Sequence, residues 1–206
     1  MRTVLVTGFG AFPGAPRNPT QELMARLQRH KARFARLGVR LETRVLPVVF
    51  SDISQHLAQL ERELCPDAIL HFGLATRRRW ISLETRGVNR VTTFFGDASG
   101  RLSKQTRIDG GPVFSRSTLP LPQIVARLGT LHQNIRLSRD AGRYLCNKTF
   151  YLSLTQSKAK AIGFIHVPPL KHVKGGAIGL EACALTMILA SLPSTLSKVD
   201  ERGVAP

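Results

Sequence analysis

The chain is short of acid, of sulfur and of indole and phenol rings. Only 13 Asp and Glu stand against 30 Lys and Arg in 206 residues, and there are three cysteines, one tryptophan and two tyrosines. Cys65, Cys146 and Cys183 are odd in number and far apart, which argues against a disulfide framework and for a reducing cytoplasm. No apolar run approaches the ~20 residues that span a bilayer, so no membrane partner is expected. The opening Met1-Arg2-Thr3-Val4-Leu5-Val6-Thr7-Gly8 reaches a strand and a glycine turn too early for a secretory leader. The histidines show no paired ligand spacing, so no metal is expected, and there is no Gly-x-Ser-x-Gly elbow. Gly8, Gly10 and Gly14 follow the first strand, but a dinucleotide fingerprint needs glycine where Pro13 sits and an acid where Arg44 and Val45 sit. No cofactor is expected.

What remains is a hydrophobic share of 43% and a formal charge of +17, a globular composition with a basic surface. Arg26, Arg29, Arg33 and Arg36 form one stripe at helical spacing, about a quarter-turn from Leu23, Leu27, Phe34 and Leu37. That pattern is the solvated flank of a surface helix. Aromatic residues do not interleave with it to stack on bases, so nucleic acid is not the expected partner, although the charge alone would attract polyanions.

Short apolar strands alternate with amphipathic helices. Strands are predicted at 3–7, 39–47, 67–72, 81–89 and 161–167, and helices from Asn18 as N-cap through the basic stripe, then at 51–64, 121–132, 145–157 and 177–192. Residues 96–111 read as a long loop. The last helix is apolar nearly all round, so it is either deeply buried or covered by another subunit. The alternation predicts an α/β fold, a three-layer α/β/α sandwich on a mainly parallel, partly mixed central sheet. Residues 1–193 read as one domain and 194–206 as a frayed tail.

In such folds functional groups gather beyond the C-terminal ends of the strands. Cys146 opens the helix at 145–157, and His166 closes the strand that follows. A thiol at a helix start with an imidazole nearby can act as a nucleophile, since both neighbours favour the thiolate. On spacing alone an inert core thiol and a structural histidine are the commoner outcome. Cys65 and Cys183 have no comparable context.

Longer blocks carry a resemblance. Thr7-Gly8-Phe9-Gly10-Ala11-Phe12-Pro13-Gly14 with Asn18-Pro19-Thr20, then Gly73-Leu74-Ala75 and Ile81-Ser82-Leu83-Glu84, then Ala141-Gly142-Arg143-Tyr144-Leu145-Cys146-Asn147, then Phe164-Ile165-His166-Val167-Pro168 occur in order. In these the chain resembles the pyrrolidone-carboxylate peptidase (pyroglutamyl peptidase I) family of cysteine peptidases along most of its length. The resemblance implies a cofactor-free cytoplasmic exopeptidase that removes N-terminal pyroglutamate from peptides and self-associates as a tetramer or dimer. It implies Cys146 as nucleophile, His166 as base and Glu84 as the acidic third member. Asp97 is a supporting acid by the same likeness. Phe9, Phe12, Asn18 and Tyr144 would contact substrate.

The chain departs from the family pattern in three places: Phe94 where an arginine is usual, Arg77-Arg78-Arg79-Trp80 in place of a glycine-containing turn, and Pro169 to Lys174 after the histidine block. These leave open a changed cyclic-amide substrate, or a weakly active or noncatalytic relative whose basic surface binds polyanions.

Overall fold

A computed structural model describes residues 1–12 and 14–192. The expected tail lies outside the described residues. Among the described residues eight strands and six α-helices follow in chain order: β1 (Arg2–Phe9), α1 (Pro19–Gln28), α2 (Lys31–Arg36), β2 (Val39–Leu46), α3 (Ile53–Leu64), β3 (Ala68–Leu74), β4 (Ile81–Glu84), β5 (Arg86–Val88), β6 (Phe114–Arg116), α4 (Leu121–Gly129), β7 (Ile135–Ser138), α5 (Leu145–Gln156), β8 (Ala161–Val167) and α6 (Gly176–Ser191). Six strands make the central sheet in the order β2-β1-β3-β8-β4-β7, and β5 and β6 form a separate antiparallel pair. All pairings in the large sheet are parallel except β4 with β8.

Side-chain alternation along the strands assigns the two faces. Val4, Val6, Leu70, Phe72, Ile165 and Val167 pack with Leu23 and Leu27 of α1, Ile124 and Leu128 of α4, and Leu180, Met187 and Ile188 of α6. Leu5, Ile69, Ile162 and Phe164 pack with Ile53 and Leu60 of α3 and with Leu145, Phe150 and Leu152 of α5. The result is the expected α/β/α sandwich. The apolar last helix is explained by burial against α1 and α4, with Ile178 left exposed.

Several elements differ from the sequence pattern. The basic helix is two helices, because the chain turns at Arg29 and His30 while the apolar stripe keeps its phase through buried Phe34. Arg29, Arg33 and Arg36 are exposed, as a solvated flank requires. The strand expected at 81–89 divides after Glu84, and its second half leaves the large sheet to pair with β6. Edge strand β7, Ile135-Arg136-Leu137-Ser138, has too little apolar pattern to be read locally and is held by pairing with β4.

Asn18 caps α1 as its position suggests: its side-chain oxygen accepts from the Thr20 N–H at 3.1 Å, and its amide donates to the Gly10 carbonyl at 2.9 Å. At Gly8 any Cβ would collide with the Thr20 carbonyl, so only glycine lets β1 approach the start of α1 so closely.

Candidate active site

Gly73, His166 and Glu84 sit on one face of the sheet. Gly73 shares the parity of Ile69, and His166 that of Ile162 and Phe164, so both face α5; the opposite parity of β4, at Ile81 and Leu83, lies in the other core. Strand β4 runs antiparallel to β8 and sets Ser82 opposite His166 and Glu84 opposite Phe164. Glu84 is thus the diagonal neighbour of His166, one step below the crest, within reach of a long side chain. That depth explains why Glu84 is fully buried rather than a surface salt-bridge residue.

His166 Nδ1 lies 2.7 Å from Glu84 Oε1. An ionised carboxylate can only accept, so Nδ1 carries the proton and Nε2 of the neutral ring is left as the acceptor. The ring packs against Phe164 at a tilt of 51°, with centroids 4.8 Å apart. From the β3–β4 loop, Arg78 Nη1 donates to the same Glu84 oxygen at 2.6 Å, and its Nη2 donates to the Asp140 carbonyl at 2.6 Å. Burial works against ionising Glu84, but the hydrogen bond and charge of His166, with the bonds from Ser138 and Arg78, outweigh it. The carboxyl is held below its ordinary range.

Cys146 is the second residue of α5, and no side chain caps that helix start at Tyr144. The β3 backbone passes directly beneath the sulfur. An ideal Cβ on Gly73 would stand 2.9 Å from it. Burial, with the Glu84 charge adding to it, pushes the thiol up to about 12. A helix N-terminus is worth about 0.3–1 kcal/mol, too little to offset burial of this size. Burial thus opposes the thiolate that the helix start favours, and His166 in the same cavity is the base placed to assist its ionisation.

Cys146 and His166 both line a cavity of about 510 Å³ whose walls include Phe9, Phe12, Val48 and Tyr144. Its size and apolar lining suit a small ring-shaped ligand. Tyr144 is fixed by its hydroxyl, which donates to the Gly96 carbonyl at 2.8 Å, and by an edge-on contact with Phe50. Phe95, 70% exposed, stands at the rim.

The structure does not bring two of the expected residues to the cavity. Asp97 accepts from the Phe50 N–H at 2.8 Å and from the Ser99 hydroxyl at 2.6 Å, tying the 96–101 loop to the segment after β2. It supports the wall behind Tyr144 and makes no bond to His166. Asn18 is committed to Gly10 and Thr20 and lines a neighbouring hollow instead.

The departures at 77–80 acquire roles. Arg78 turns inward to Glu84, Arg77 stands at the cavity rim, and the Trp80 ring carries the Arg136 guanidinium at 3.9 Å. Arg78 had no local signal in the sequence, because its partner is reached only when the loop folds back over β4.

The family model for pyroglutamyl peptidase matches residues 2–200. The chain belongs to this family. Among curated relatives, the pyrrolidone-carboxylate peptidase of Pyrococcus furiosus is 38% identical over 170 residues, covering 80% of each chain. Pyrrolidone-carboxylate peptidase 1 of Ralstonia nicotianae is 32% identical over 197 residues, covering 93% of this chain and 90% of the relative. The crystal structure of pyrrolidone carboxyl peptidase from Thermus thermophilus superimposes with a TM-score of 0.81 at 32% identity, covering 92% of this chain and all (100%) of the other. The family's fold is thus kept at about one-third sequence identity, with a TM-score of 0.81. Among the described residues no helix is long and apolar enough to cross a membrane.

Proposed function

We propose that this chain is a cysteine exopeptidase that releases pyroglutamate from peptide N-termini, with Cys146 as nucleophile, His166 as general base and acid, and Glu84 as the group that orients the imidazole. The observation that carries this reading is the 2.7 Å bond between His166 and buried Glu84 at a cavity that Cys146 also lines, in a chain of this family. The lactam would rest among Phe9, Phe12 and Tyr144. Such a ring has no α-ammonium, and among the described residues no carboxylate lines the cavity to receive one.

The chemistry follows from the ionisation. Because burial opposes the thiolate, His166 Nε2 takes the thiol proton as the sulfur attacks the carbonyl carbon that joins pyroglutamate to the next residue. Glu84 stabilises the imidazolium so formed and fixes its tautomer. The uncapped N–H groups at the start of α5 would receive the oxyanion. His166 then gives the proton to the departing amine, leaving a thioester on Cys146. Water, deprotonated by the same imidazole, hydrolyses the thioester, and the thiol regains its proton as pyroglutamate leaves.

Free cysteines at 65, 146 and 183 suit a reducing cytoplasm. Self-association belongs to the same proposal: Phe94, Val113 and Phe114 leave apolar surface open that a second copy would cover. Turnover of a chromogenic pyroglutamyl amide by the native chain, abolished in Cys146→Ala, tests the reading. Equal turnover in both proteins would exclude the mechanism.

A further inference from the structure

A second hollow, of about 690 Å³, opens beside the reaction cavity. Its walls are Arg17, Gln21 and Ala25 along the start of α1 and Pro169 and Leu170 just beyond β8. Leu74, at the end of β3, lines both hollows and is the ridge between them. Leu74 pairs in register with Val167, and the Ala75 N–H donates to the Val167 carbonyl at 2.8 Å, so this ridge runs beside the residue that follows His166.

The reaction sets the direction in which substrate must lie. The proton that His166 takes from Cys146 goes to the departing nitrogen, so that nitrogen sits on the imidazole side of the cavity. Phe9, Phe12 and Tyr144, which line the same cavity, would hold the ring. A chain continuing from the nitrogen leads over Leu74 toward Pro169 and Leu170. On that basis, and resting on the pyroglutamyl-peptidase reading above, we propose that the hollow between α1 and the turn at Leu170 binds the two or three residues that follow pyroglutamate.

The walls also indicate what kind of peptide fits. The Gln21 amide both donates and accepts, which suits a peptide backbone. Glu22 is already paired with Arg26 at 2.9 Å, and Arg17 is exposed to solvent, so no buried charge selects one side chain. Broad acceptance of sequence with a preference for length is the property this hollow would confer. Contacts remote from the scissile bond of this sort raise kcat/KM when they hold the reacting atoms in place. A rival path exists toward the hollow lined by Arg90, Thr93, Phe94 and Arg143, which shares no wall residue with the reaction cavity.

The test compares kcat/KM for a pyroglutamyl anilide and for a pyroglutamyl peptide extended by three alanines. The native chain is expected to favour the longer substrate by roughly tenfold. Gln21→Trp, which fills the hollow from an exposed helix face, should remove that preference and leave the anilide rate within about a factor of two. Ala25→Trp, one turn further along the same face, should do the same and guards against a folding defect in the first variant. Thr93→Trp in the rival hollow should keep the preference. No preference in the native chain, its survival in both α1 variants, or its loss in Thr93→Trp would overturn the proposal. Failure of the native chain on both substrates would overturn the peptidase reading itself, and this proposal with it.

Discussion

Gly73 and Cys146 are in van der Waals contact across the gap between β3 and α5, with room for a hydrogen on the glycine and for nothing larger. A Cβ there would stand 2.9 Å from the sulfur and 2.7 Å from the Phe164 ring that backs His166. Gly73→Ala should therefore displace both reacting groups. Misplacement of about 1 Å can cost on the order of 10²-fold in rate, and a loss of that size in kcat is expected while the protein remains folded by circular dichroism. Unchanged kcat would show that the sulfur and the ring have freedom the packing denies them.

Arg78 and His166 share one oxygen of Glu84. Arg78→Gln leaves a buried carboxylate with one charged partner fewer. Breaking a fully buried pair costs about 3–5 kcal/mol, and since Arg78 is 23% exposed a loss nearer ~2 kcal/mol is expected in urea unfolding. Activity should fall with stability in Arg78→Gln and recover in part in Arg78→Lys, which restores the charge without the second bond to Asp140. Loss of stability with full activity would confine Arg78 to a structural role.

Alkylation separates the sulfur's own acidity from the help it receives. With the thiol pushed up to about 12 by burial, iodoacetamide should react with Cys146 only as fast as His166 can take the proton. His166→Gln should slow labelling of Cys146 by about 10²-fold at neutral pH, while exposed Cys65 in the same molecule keeps its rate. Equal slowing at both positions would point to general unfolding or to the reagent.

How much of this site was legible in the sequence depended on how local each signal is. Cys146 and His166 mark a helix start and a strand end, features written in a few adjacent residues, and Asn18 advertised its cap in the same way. Glu84 was not of that kind. Its alternating strand looked half-exposed, and its role came only with the family resemblance, because burial follows from the antiparallel placement of β4 against β8. Arg78 stood out only as a basic departure from a glycine-containing turn. The break between α1 and α2, the β5–β6 pair and the short edge strand β7 were likewise hidden, since tertiary pairing and not local pattern decides them. Asp97 shows the converse: a family-like position pointed to chemistry, and its hydrogen bonds hold a loop.

His71 supplies a test of the buried sheet face. It is wholly enclosed, with Nδ1 2.7 Å from the Thr7 hydroxyl and Nε2 2.9 Å from that of Ser153, and burial lowers it from 6.5 to about 3. The unfolded chain takes up a proton at this ring below pH 6.5 and the folded chain does not. The stability it supports is therefore complete above pH 6.5 and is lost as pH falls toward 3. Down to about pH 4 the loss should reach roughly 3 kcal/mol. His71→Gln, less stable at neutral pH, should show a correspondingly shallower pH dependence of its urea midpoint. Parallel profiles for the two proteins would mean that the ring charges inside the fold.

Rapid-quench mass spectrometry with an activated pyroglutamyl ester addresses the covalent step itself. Native protein stopped within the first turnover should carry a pyroglutamyl group mapped to Cys146, and Cys146→Ala should carry none. Product formation without that adduct, or an adduct on another side chain, would contradict nucleophilic attack by this sulfur.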